Sequence, residues 1–377
     1  MENLRLLLPV MLLLSAVSCT QNAAFELEKK MEDDVVFSRR DLARIFSQLP
    51  LGEDQLYEVY DAVCCSSQNG YDEEYMMADL LSCPGAGVGD KSSKTKAEGY
   101  SLPIRDMFTQ YLEERYSTKA GGAEKVEEYL RDLEESDLQI YWPYSEDWSG
   151  TEYPVITFDP GYGAESNYGY VLGPDRTVTD SLLVTEEVAK TRPVWVINSN
   201  TDSGFTPLDF YTKASSSSET GTQLLIKDFT MLRNFDSWFG GASEFFIKFG
   251  AVDGFKATSD DDLKLYYPSV TDFMIVVKRK YVGKKVPFEA LLLSNFTSQM
   301  EKFAFLVVED DGGTTTSWKC SATVKYNSKS YGFDIEIPYK DKDDIVWRGQ
   351  LDASYFADDE EVTGRFGDVM ITFEKRR

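Results

Sequence analysis

The chain has 377 residues, of which 42% are hydrophobic and 14% aromatic, enough apolar material for two or three folded domains. Sixty-four acidic residues against 39 basic ones give a net charge of −25, which argues against a nucleic-acid partner, because phosphate binding needs clustered Lys and Arg. There is no histidine, so Ser-His-Asp and Cys-His nucleophiles, His-Glu-x-x-His zinc sites and imidazole pH switches are excluded, leaving carboxylate, Ser-Lys or Tyr/Lys chemistry and oxygen-ligated metals.

The chain opens with a short segment carrying Arg5, an apolar run from Leu6 to Ala16, and small residues before Cys19. This is the pattern of a secretory signal over residues 1–18, and the run is too short to span a bilayer comfortably. A Cys directly after small residues resembles the lipobox of bacterial lipoproteins. That resemblance implies that Cys19 is lipidated and becomes the mature N-terminus; ordinary secretion is the alternative. So acidic a surface does not dock on anionic lipid, so the lipid on Cys19 would provide the anchoring. Residues 19–35 are polar and unperiodic and read as a tether.

Residues 36–135 read as a helical domain. Ser38 with Asp41 resembles a capping box. Leu42, Ile45, Phe46 and Leu49 then follow at helical spacing, as do Leu56, Val59, Tyr60 and Val63. The same spacing recurs at Ile104, Met107, Phe108 and Tyr111, and at Val126, Tyr129, Leu130 and Leu133. The Gly- and Lys-rich stretch after Cys83 reads as a surface loop, since it lacks the ending of a phosphate-cradling loop. Within it, Ser93-Lys-Thr-Lys96 matches Ser-x-x-Lys by spacing, but the partner motifs of that chemistry are absent.

Residues 136–213 switch to short strands, expected at 138–142, 155–158 and 194–197, and form a β-rich middle segment. The last is a continuous apolar run, Val194-Trp-Val-Ile197, and so reads as a buried strand. Polar residues 214–222 read as a linker.

Residues 223–377 read as an antiparallel β-sandwich domain. Strands are expected at 224–232, 245–249, 273–278, 288–293, 303–308, 318–326, 333–339, 345–351 and 369–373. The clearest has Trp318, Cys320, Ala322, Val324 and Tyr326 on one face and Lys319, Ser321, Thr323 and Lys325 on the other. The fold class is therefore α+β: a helical N-terminal domain, a mixed β middle segment and a C-terminal sandwich.

Carboxylates cluster in the loops of this last domain, at Asp260-Asp-Asp262, Glu309-Asp-Asp311, Asp341 with Asp343-Asp344, and Asp358-Asp-Glu-Glu361. Such loops, with Trp238-Phe-Gly-Gly-Ala-Ser-Glu-Phe before a strand, resemble a C2-like sandwich. The resemblance implies calcium at acidic loops, with Asp310, Asp311, Asp358 and Asp359 as candidate ligands. Turn formation is the plainer role of the same residues. An acid pair for glycoside hydrolysis is the other use of carboxylates, although no pair stands out. Tyr141, Trp142, Tyr144, Trp148, Tyr153, Tyr162, Tyr168 and Tyr170 offer rings for a glycan platform, or for core packing. Cys64 or Cys65 can bridge to Cys83, or all can remain thiols; connectivity is not readable from sequence.

The lipobox-like start, Gln139-Ile-Tyr-Trp-Pro-Tyr-Ser145, Pro193-Val-Trp-Val-Ile-Asn198 and Gly367-Asp-Val-Met-Ile-Thr-Phe373 resemble lipoproteins of gut Bacteroidetes, a group that carries no established activity to import. The expectation is an outer-membrane lipoprotein of the cell envelope with a non-enzymatic binding or adhesion role toward a glycan or protein ligand. The alternative is a glycan-directed hydrolase using a carboxylate pair.

Overall fold

The computed structural model describes residues 38–82, 102–116, 121–173, 177–200, 205–208, 221–356 and 359–377. The signal, Cys19, the tether, the loop with Cys83 and Ser93-Lys-Thr-Lys96, most of the linker and Asp358 lie outside the described residues. Among the described residues the chain is mixed α/β and mostly β, with six helices and sixteen strands. No helix among them is long and apolar enough to cross a membrane. Cys64, Cys65 and Cys320 are free thiols.

The N-terminal unit is built from helices α1 (Arg39–Gln48), α2 (Glu53–Gln68), α3 (Met77–Leu81), α4 (Ile104–Tyr116), α5 (Gly122–Glu134) and α6 (Glu186–Ala189). Ser38 caps α1: its Oγ accepts from the Asp41 N–H at 3.1 Å, satisfying one of the helix's orphan donors. Strands β1 (Glu74–Met76), β2 (Leu138–Tyr141), β3 (Val155–Phe158), β4 (Asn167–Leu172), β5 (Val178–Val184) and β6 (Val194–Ser199) form one sheet in the order β1-β2-β6-β3-β4-β5. The pairs are antiparallel except β3 with β6. Because β1 lies between α2 and α3 and pairs with β2, the helical and middle segments share one sheet.

The two faces of this sheet separate by alternation. Ile140, Trp142, Ile156, Trp195 and Ile197 pack into a core with the helices. Tyr141, Val155, Val194 and Val196 point the other way, onto Trp238 and Phe239 from the C-terminal half of the chain. This explains the unbroken apolar run of β6, since each of its faces is covered by a different partner.

The C-terminal unit has ten antiparallel strands: β7 (Gln223–Met231), β8 (Ser243–Ala251), β9 (Ser269–Val277), β10 (Val286–Leu293), β11 (Met300–Glu309), β12 (Thr315–Tyr326), β13 (Lys329–Lys340), β14 (Asp344–Asp352), β15 (Glu361–Phe366) and β16 (Val369–Arg376). They form a sheet β10-β7-β16-β15 and a sheet β13-β12-β11-β8-β9, with β14 also paired to β11. Both contribute to one hydrophobic cluster that includes Phe229, Phe249, Phe305 and Phe373. Nine of the ten strands correspond to those expected from sequence. The exception, β15, has Gly364 in the middle of its apolar alternation, which removes the period-two signal.

Candidate functional site

The loop between β7 and β8 carries Asp236, and the turn after β11 carries Asp311 next to Glu309, the last residue of that strand. Strand β11 lies beside β8 in a register that sets Glu309 opposite Phe245, so it comes level with the loop that precedes β8. One carboxylate oxygen from each of Asp236, Glu309 and Asp311 falls within 4.8 Å of the other two. Glu309 ends the buried run 303–309 of that strand and is itself only 1% exposed. Its Oε1 and the Oδ2 of Asp236 are buried and accept no hydrogen bond. Opposite Glu309 across the β11–β14 pairing stands Asp344, which adds negative charge.

The electrostatics follow from this crowding. Burial first, then the neighbouring Asp236 carboxyl, push the Glu309 carboxyl far above the usual range. Burial raises Asp236 too, and Asp311 is pushed up to about 6 by burial and then by Asp236 and Asp344. Like charges this close do not all ionise without a compensating cation.

Asp310 takes a different route from its neighbours. Its Oδ2 accepts from Lys340 Nζ at 2.8 Å, and the Lys340 N–H donates to Asp343 Oδ2 at 2.8 Å. Asp341 accepts from both Oγ1 and N–H of Thr314, each at 2.8 Å, closing the turn at Gly312 and Gly313. Gly313 has φ +103°, and a Cβ there would strike Asp341 Oδ1. Asp359 is exposed beside the start of β15. Of the four sequence candidates, the structure thus groups only Asp311 with further carboxylates, gives Asp310 to Lys340 and leaves Asp359 in solvent, while Asp358 is outside the described residues.

Next to Asp310 a pocket of about 290 Å³ opens between Phe205, Phe246, Tyr339, Lys248 and Lys340. Phe205 meets Phe246 edge-on with ring centroids 4.8 Å apart, and Lys248 Nζ lies 5.2 Å over the Phe246 ring. Lys248 is paired with Asp272 at 2.6 Å. Comparison of the chain with protein-family models, curated proteins and solved structures gives no match.

The loop bearing Asp236 also joins the two units. Trp238 and Phe239 are fully buried against the N-terminal sheet, and Trp238 Nε1 donates to the Glu165 carbonyl at 3.0 Å. Asn198 Nδ2 donates to the carbonyls of Phe239 and Gly240, and Asp72 Oδ2 accepts from the Ala242 N–H at 2.8 Å. Arg279 Nη1 holds the Asp236 carbonyl at 2.9 Å. The aromatics divide in the same way. Tyr141 and Trp142 are core, whereas Tyr162 and Tyr168 face solvent.

Asp236 and Glu309 were not among the candidates for separate reasons. Glu309 extends the run Phe303-Ala-Phe-Leu-Val-Val308 without a break, and a buried acid at the end of such a run was a readable signal. Asp236 is brought to it only by the β8–β11 pairing.

Proposed function

We propose that this protein is an envelope-anchored binding protein, tethered through lipid on Cys19, which captures a glycan and leaves it intact. The observation that supports this reading is the pocket at Phe205, Phe246 and Tyr339, whose apolar ring faces stand beside the ammonium groups of Lys248 and Lys340. Rings stack on sugar faces, and the Lys248–Asp272 and Lys340–Asp310 pairs beside them offer donors and acceptors to hydroxyls. Three acids also line this pocket: Asp272 and Asp310 pair with Lys248 and Lys340, and Asp343 accepts from the Lys340 N–H. The competing reading, glycan hydrolysis by two carboxylates, has less support, because the acid most strongly poised to hold a proton, Glu309, is almost wholly buried. We further read the two antiparallel sheets sharing one core as a β-sandwich carrying this pocket.

The test is retention on an immobilised panel of neutral and acidic oligosaccharides. The full chain is expected to be retained on neutral members, and Phe246→Ala and Tyr339→Ala to elute early. Release of shortened sugars from any member would replace binding with hydrolysis, and elution from every member would remove the glycan.

A further inference from the structure

We propose that Asp236, Glu309 and Asp311 form a binding site for a hard divalent cation, which locks the β7–β8 loop and thereby the junction of the two units. This inference is independent of the glycan reading and of the pocket.

Three observations carry it. One oxygen from each carboxylate falls within 4.8 Å of the other two, a separation that a single ion can span, and all are hard oxygen donors of the kind calcium and magnesium take. Glu309 is 1% exposed, and its Oε1 accepts no hydrogen bond, nor does the buried Oδ2 of Asp236. Buried acceptors are normally partnered, so this group has a specific need that a cation meets. Finally, the ligands come from two segments of the C-terminal unit, one of which reaches the joint with the N-terminal unit. Glu309 and Asp311 belong to β11 and its turn in the sheet, while Asp236 precedes the Trp238-Phe239 pair that plugs the N-terminal sheet.

Asp311, exposed at the edge of the group, supplies the entry path. Asp310 does not contribute, since Lys340 already neutralises it.

The experiment is calorimetric titration of the full chain with calcium, and separately with magnesium. The expected result is one ion bound per chain. The melting temperature should rise by several degrees with the ion in excess. Glu309→Gln and Asp236→Asn, both isosteric, should each weaken binding at least tenfold, while Asp359→Asn should bind as wild type. Absence of binding by the wild-type chain overturns the proposal. Binding that survives Glu309→Gln undiminished, or that disappears in Asp359→Asn, overturns it by placing the ion elsewhere.

Discussion

Arg279 and Glu186 meet across the junction of the two units, with Nε–Oε1 at 3.0 Å and Nη2–Oε2 at 3.3 Å. Arg279 is nearly buried, and its Nη1 also holds the Asp236 carbonyl, so the guanidinium links α6, the β7–β8 loop and the segment after β9. Tyr144 donates its hydroxyl to the same Glu186 Oε1 at 2.8 Å. Removing one member of such a pair leaves the other charge desolvated. Glu186→Ala is expected to cost about 3–5 kcal/mol, against a much smaller loss for the exposed pair Arg233–Asp368. Urea unfolding of the two variants, Glu186→Ala and Asp368→Ala, measures the difference.

Trp238 is the apolar counterpart of that link. It is fully buried in a unit to which it does not belong in sequence, stacked 3.9 Å from Phe239. Trp238→Ala is expected to lose about 3–5 kcal/mol, as large-to-small changes in cores do. Since the contact joins two cores, calorimetry should show the single transition of the wild-type chain split into two in the variant. A single transition merely shifted downward would show that the units remain coupled without this residue.

Acid pH should stabilise the protein. Burial pushes Glu58 up to about 7 and Glu74 up to about 8, and burial with a hydrogen bond to Glu146 takes Glu73 to about 8. Each folded pKa stands above the ordinary carboxylate value of about 4.5, so the folded state binds protons that the unfolded chain releases. That stability is fully present below about pH 4.5 and is lost as pH rises through about 7 to 8. The depressed carboxyls, Glu146 down to about 2 and Glu186 lower than usual, contribute stability that is lost only below the ordinary range, so they do not offset the trend. The melting temperature is expected to fall by several degrees between about pH 5 and about pH 8. Glu74→Gln, which keeps an acceptor for the Asn200 amide, should make that fall shallower.

The proposed lipid anchor has its own test. Cys19→Ala should move the protein from the membrane fraction to the soluble fraction, because no thiol then remains at that position to carry lipid. Retention in membranes would sink the lipoprotein reading.

The amino-acid order alone determined the local elements. Ser38 with the Leu42-to-Leu49 stripe specifies α1, and the alternation at Trp318–Tyr326 and Phe333–Tyr339 specifies β12 and β13, because side-chain period and capping are properties of a few neighbouring residues. The run Val194-Trp-Val-Ile197 likewise announced a buried strand. What covers each face was decided by the tertiary structure, which brings Trp238 and Phe239 to one side and the helices to the other. The acidic loops were equally legible as charge. Their division into Asp310 paired with Lys340 and Glu309 crowded against Asp236 was not. Electrostatic environment depends on which distant segments the sheet register juxtaposes, and no local pattern encodes a contact between residues 236 and 309.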